Sequence, residues 1–205
     1  MTLDHTHDPA ARSWLAAANA AGCDFPIQNL PFAVLRRRGS GEAFRGAVAI
    51  GDQALDLAAL ANAKLLTGAA AEALALAAQP TLNAFMAAGP EAWRALRHAL
   101  FDLLREGAPA EAEAAVRAGL LPLDAVEYTL PARVGDYTDF YTSLDHAVNC
   151  MRIMRPDADA PANFRWLPQA YHGRVSTLGV SGQRFHRPRG QWLPPGASAP
   201  VFAPC

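Results

Sequence analysis

Apolar and polar positions in the first part of the chain alternate over short runs. Phe32–Leu35 and Ala47–Ile50 read as short strands flanking a turn rich in Arg and Gly, Arg36 to Gly46. Gly51-Asp52 makes a second turn leading into a third run, Gln53–Leu57. Three short strands joined by tight turns predict a small barrel or half-barrel. The period then lengthens to that of a helix. Leu57–Leu66 and Ala69–Ala78 are Ala/Leu-rich, and Pro80 stops the second. Pro90 opens the clearest helix, Glu91 to Glu106, whose apolar stripe is Trp93, Leu96, Leu100, Leu103 and Leu104 and which Gly107 closes. His98 is expected on a flank of this helix. A shorter helix, Glu111–Gly119, ends just before Leu120-Leu121-Pro122.

The texture changes at Val126. Val126–Leu130 reads as a strand, and Pro131 opens a linker into a polar, aromatic stretch from Arg133 to Ser143. The domain boundary is placed here: a polar, Ala-rich leader over 1–21, a first domain over 22–130, and a second from 131 to 205. Leu144–Met154 is expected to be helical, with Leu144, Val148, Met151 and Met154 on one side and Pro156 ending it. Residues 156–205, rich in Gly, Pro and Arg, read as loops and edges of a β domain. The expected class is mainly β with helices, an α+β arrangement.

Composition narrows the class. The 205 residues, 51% of them hydrophobic, are ample for a buried core, although 45 are Ala and bury little area each. A disulfide-stapled miniprotein and a disordered tail are excluded. Net charge is -1, but residues 151–205 hold seven Arg against Asp157 and Asp159, so that quarter is +5 and the remainder -6. Such a segment expects an anion or acidic chain beside it. Cys23, Cys150 and Cys205 have neither metal-like nor redox spacing and are expected as free thiols. The N-terminus lacks a signal-peptide pattern, and the most apolar stretch, Leu57 to Ala78, is interrupted by Asn62, Lys64, Gly68 and Glu72. A cytoplasmic protein with no membrane partner is the expectation. The Arg36-Arg37-Arg38-Gly39-Ser40-Gly41 run has no helix after its glycines and lies in an acidic region, so it is expected as a solvated hairpin tip, not a phosphate cradle or nucleic-acid site. His5-Thr-His7 is taken as incidental in a frayed terminus.

The chemistry concentrates in one place. Asp139 and Tyr141 are two apart in an extended stretch, so their side chains can face one way. Ser143 is placed to cap the following helix, which puts His146 in the first turn, where the positive helix end favours a neutral imidazole. A neutral His beside a carboxylate and a hydroxyl suits a general base. The same residues also fit a capped helix with a polar entry loop, and spacing alone leaves both open.

Longer motifs add a resemblance. Gly135-Asp136-Tyr137-Thr138-Asp139-Phe140-Tyr141 with His146-Ala147 and Asn149 resembles the signature of the fumarylacetoacetase family. So do Leu167-Pro168, Tyr171-His172-Gly173-Arg174, Val180-Ser181-Gly182 and Arg187-Pro188 with Gly190-Gln191. Upstream, Asp24-Phe25-Pro26-Ile27-Gln28-Asn29-Leu30-Pro31, Ala47 to Gln53 with Leu55-Asp56-Leu57, and Leu82-Asn83 with Phe85-Met86 match as well. The resemblance implies a small Src-homology-3-like barrel followed by a mixed β-sandwich roll, and a homodimer that hydrolyses a carbon–carbon bond of 4-fumarylacetoacetate at the end of tyrosine and phenylalanine breakdown. It implies that Asp139 binds a divalent cation, Ca²⁺ or Mg²⁺, that His146 is the proton acceptor, and that Tyr141, Arg155 and Tyr171 contact substrate. His172 and Arg174 either share that work or fix a Gly-containing turn.

The resemblance also implies residues that would follow Cys205: a Glu-x-Glu pair and an Asp completing the metal site, a carboxylate orienting the histidine, and a Gln and Lys for the leaving group. The chain has no Glu after Glu127. It is therefore read as an N-terminal portion, with the roll unfinished and the fragment inactive by itself. The alternatives are an inactive module retaining only the barrel and another acylpyruvate-type hydrolase of the superfamily.

Overall fold

A computed structural model describes residues 3–204. Its centre is a curled, wholly antiparallel five-stranded sheet built from β1 (Phe32–Arg37), β2 (Arg45–Ile50), β3 (Gln53–Asp56), β4 (Leu120–Pro122) and β5 (Val126–Thr129). Its order is β4-β3-β2-β1-β5, a half-barrel in which the three expected strands are contiguous. Gly51 turns β2 into β3 with φ 59, where an L side chain is strained. Asp56 ends β3 and caps α1 (Leu57–Asn62), accepting from the amides of Ala58 (2.9 Å) and Ala59 (3.1 Å).

Helices cover the sheet: α2 (Gly68–Ala77), α3 (Asn83–Ala87), α4 (Pro90–Leu104) and α5 (Ala110–Ala118). Leu96, Leu100, Phe101 and Leu104 of α4 are buried with Leu74 and Ala77 of α2 and Val48, Ile50 and Leu55 of the sheet. A smaller cluster of Leu35, Ala47, Ala54, Leu121 and Val126 fills the other side of the sheet. Helix and sheet meet without a gap at Gly46, where a Cβ would overlap the Ala77 carbonyl oxygen. Trp93, expected in the apolar stripe, is 40% exposed and donates its indole N–H to Phe85 O (2.7 Å).

Two expectations are corrected. The expected mixture of helices and sheet is present, but α-helices rather than strands occupy more of the described chain, so it is not mainly β. The described part of the leader, residues 3–21, is not frayed. The Ser13 hydroxyl donates to Leu104 O (2.6 Å) and the Trp14 indole to Leu103 O (2.8 Å), capping carbonyls that the end of α4 leaves without helical partners. The arginine run is the exposed tip of the β1–β2 hairpin, as expected, with Arg36 paired to Glu127 and Arg37 to Glu42 at its base.

Past β5 the chain forms smaller units. β6 (Thr138–Tyr141) pairs with β7 (Gln169–His172), and β8 (Arg189–Trp192) with β9 (Val201–Pro204), each a two-stranded antiparallel sheet. Between β6 and β7 lies α6 (Leu144–Met154). Cys23 and Cys150 are free thiols; Cys205 lies outside the described residues.

Candidate functional site

Within the polar stretch Arg133 to Ser143, Thr138–Tyr141 form the strand β6, with Asp139 and Tyr141 on one face by the two-residue period of extended chain. Its partner β7 sets Tyr171 directly opposite Asp139 and Gln169 opposite Tyr141. The tyrosines of the two motifs thus become diagonal neighbours, within reach across a strand pair. Ser143 then caps α6, its hydroxyl accepting from the His146 amide (3.2 Å), which holds His146 in the first turn above the end of β6.

The His146 ring meets Tyr141 edge-to-face, with centroids 5.3 Å apart, and Phe164 packs on the same tyrosine at 5.6 Å. The Cys150 thiol lies one helical turn beyond His146, its Sγ 3.8 Å from Nδ1 and 3.7 Å from Nε2. Partial burial pushes the Tyr141 phenol above its ordinary value, with the Cys150 thiol and then Tyr171 adding to the shift. At neutral pH that phenol is a hydroxyl donor.

Asp139, Tyr141, His146 and Tyr171 are therefore assembled by one strand pair and one helix start. Arg155 is placed elsewhere. It is exposed at the far end of α6, about 13 Å along the axis from His146 at the helical rise per residue. Its φ of -144 and ψ of 98 are the extended geometry that Pro156 imposes. Cys150 escaped the sequence reading, although its spacing of four from His146 signals a shared helix face. Gly173 has a clear reason: a Cβ there would run into the Tyr137 ring, and its amide donates to Tyr137 O (2.6 Å). Tyr137 thereby ties the first motif to the second.

Asp139 offers a single carboxylate. Among the described residues, the only set of three His, Cys, Asp or Glu ligand atoms drawn together is Asp4, His5 and His98, on other elements. A hard cation wants six or more oxygens, so the groups gathered around Asp139 do not hold Ca²⁺ or Mg²⁺ by themselves.

The half-barrel sheet with its helical cover lies within residues 28–131, which match the family model described as fumarylacetoacetase N-terminal. That match takes in the whole five-stranded sheet and α1 to α5. The chain belongs to the fumarylacetoacetase family, of which it resembles an N-terminal portion. It is 47% identical over 191 residues to fumarylacetoacetase of Oryza sativa subsp. japonica, a match covering 90% of this chain and 44% of the relative. Identity to fumarylacetoacetase of Homo sapiens is 40% over 190 residues, covering 91% of this chain and 45% of that protein. With fumarylacetoacetase of Caenorhabditis elegans it is 43% over 186 residues, 88% and 44% respectively. The chain thus spans somewhat under half the length of the curated relatives it matches. Among the described residues no helix is long and apolar enough to cross a membrane.

Proposed function

We propose that this chain contributes the His146 side of a fumarylacetoacetase active site, within a longer polypeptide that hydrolyses the carbon–carbon bond of 4-fumarylacetoacetate to fumarate and acetoacetate in the cytoplasm. The observation that carries this reading is the meeting of Tyr141 and His146 beside the Asp139/Tyr171 pair, in motifs that resemble the family's. The imidazole of His146 takes a proton from water as the water oxygen bonds to the carbonyl carbon. The carbon–carbon bond then breaks, its electron pair leaves as the acetoacetate enolate, and that carbanion is protonated. The Tyr141 phenol, kept protonated, donates to a substrate oxygen, and Tyr171 orients the same end from the opposite strand. Arg155, with its planar fork of donors, suits a substrate carboxylate, although reaching one near His146 requires substrate or neighbouring chain to span the length of α6.

Metal dependence belongs to the same proposal. Asp139 would be one ligand of Ca²⁺ or Mg²⁺, the other oxygens coming from outside the described residues, and no step above is routed through that ion. The half-barrel is read as the Src-homology-3-like module and β6 to β9 as the opening of the sandwich roll, in a homodimer. The test is a chimaera in which this chain replaces the matching portion of the rice relative. It is expected to consume fumarylacetoacetate, and His146→Gln to slow it about 10²–10⁴-fold, the usual worth of a general base. A folded His146→Gln chimaera working at the parent rate would overturn the assignment. The 205-residue chain alone is expected to show no turnover.

A further inference from the structure

The N-terminal Asp4-His5-Thr6-His7 sequence is folded into a 3-10 turn and laid against α4. Asp4 caps it: its Oδ1 accepts from the Thr6 amide (3.0 Å) and the Thr6 hydroxyl (2.7 Å), and lies 3.0 Å from His7 Nδ1. The other oxygen, Oδ2, meets His98 Nε2 of α4 at 2.8 Å. His5 stands edge-on to His98, ring centroids 4.7 Å apart, and its ring also packs against Phe101 at 5.4 Å. One ligand atom from each of Asp4, His5 and His98 lies within 4.8 Å of the others. Nothing in the hydrolytic reading uses this cluster.

We propose that Asp4, His5 and His98 bind a borderline divalent transition-metal ion of the Zn²⁺ class, which clips the N-terminal segment to α4. Two imidazoles and one carboxylate are donors that such ions select, whereas Ca²⁺ and Mg²⁺ prefer oxygen alone. The site is preorganised from outside: Thr6 and His7 fix the Asp4 carboxylate, in the manner of contacts that orient metal ligands. Arg97, one residue before His98, donates to Thr6 Oγ1 (2.9 Å) and Gln28 O (2.6 Å), which holds the turn on the helix and commits its charge there. His5 is exposed, leaving a solvent side where water completes a tetrahedron. The ion replaces the Asp4–His98 hydrogen bond, with His98 binding through unprotonated Nε2 and its proton passing to Nδ1 or to solvent.

The test is titration of the 205-residue chain, prepared without a histidine tag, with Zn²⁺ against a chromophoric competing chelator. About one equivalent is expected to bind with a dissociation constant in the micromolar range or tighter, unaffected by millimolar Ca²⁺. His98→Gln and His5→Ala should each weaken binding about tenfold or more, while His186→Gln and Cys23→Ser leave it unchanged. Because the His5 ring is exposed, His5→Ala keeps the test valid even if His98→Gln disturbs α4. Lack of saturable binding up to about 100 μM, a hundredfold above the range expected of imidazole–carboxylate sites, would overturn the proposal. So would wild-type affinity in His5→Ala.

Discussion

One carboxylate, that of Asp56, ends a strand, caps a helix and holds Arg45. The Arg45 side chain is only 15% exposed and has Glu42 as a second partner at 3.0 Å. Removing the carboxylate costs a helix cap and half-orphans a guanidinium. Asp56→Ala is therefore expected to lose about 2–4 kcal/mol in urea unfolding, between the cost of a lost cap and that of a broken buried pair. Asp56→Asn, which can still cap, should lose less. Asp4 gives a pH-dependent case. Its folded carboxyl is held low by His98 and Thr6, so its contribution is present above the ordinary carboxylate value and lost as pH falls through and below it. Amide exchange at residues 6–14 should accelerate between pH 5 and about pH 2 in the parent, beyond the intrinsic change. In Asp4→Asn those amides should already exchange fast at neutral pH; unchanged protection there would refute the tether.

At the scale of elements, the joints are set by backbone proximity. Gly46 lets β2 press against the end of α2, and an added methyl has only the Ala77 carbonyl to displace. Gly46→Ala should cost about 1–3 kcal/mol, as overpacking does, with a lower midpoint and an unchanged denaturant slope. Lys64 is the reverse case. It follows α1 with φ 54, a region that suits glycine. Lys64→Gly should stabilise the chain by about 0.5–1 kcal/mol, and a loss in thermal unfolding would count against that reading. Ser143, which fixes His146, is worth about 1 kcal/mol as a cap. Its replacement by Ala should disorder the first turn of α6 before it affects the half-barrel.

For the molecule as a whole, apolar burial is unevenly divided. Among the described residues, every buried apolar residue apart from Ala147 precedes residue 131. Beyond it Ile153, Trp166 and Phe185 are 84%, 82% and 90% exposed, and each sheet has two strands. Two-stranded sheets are marginal by themselves, and open apolar edges recruit other chains. Trypsin is therefore expected to cut at Arg133 and in the Arg-rich 152–189 region while leaving the half-barrel intact, with strong binding of a hydrophobic dye to the whole chain. Exchange protection in 138–204 equal to that of α4 would sink this division.

Local periodicity and breaker residues determined much of this protein. The first three strands, α2, α4, α5 and α6 follow from alternation, helical stripes and the Pro and Gly that bound them. The Ser143 cap and the common face of Asp139 and Tyr141 are likewise local matters of spacing. What failed depended on partners far along the chain. β4 has three residues and is a strand only because Leu55 and Ala54 pair with it, and β6 needs β7, some thirty residues on. The leader became structure because α4 has carbonyls for Ser13 and Trp14 to cap. Tertiary structure alone decided that His98 meets Asp4 and that the His146 ring and Phe164 both pack on Tyr141. Sequence fixes periodicity within one element; which elements meet depends on the burial and hydrogen bonding of the whole chain.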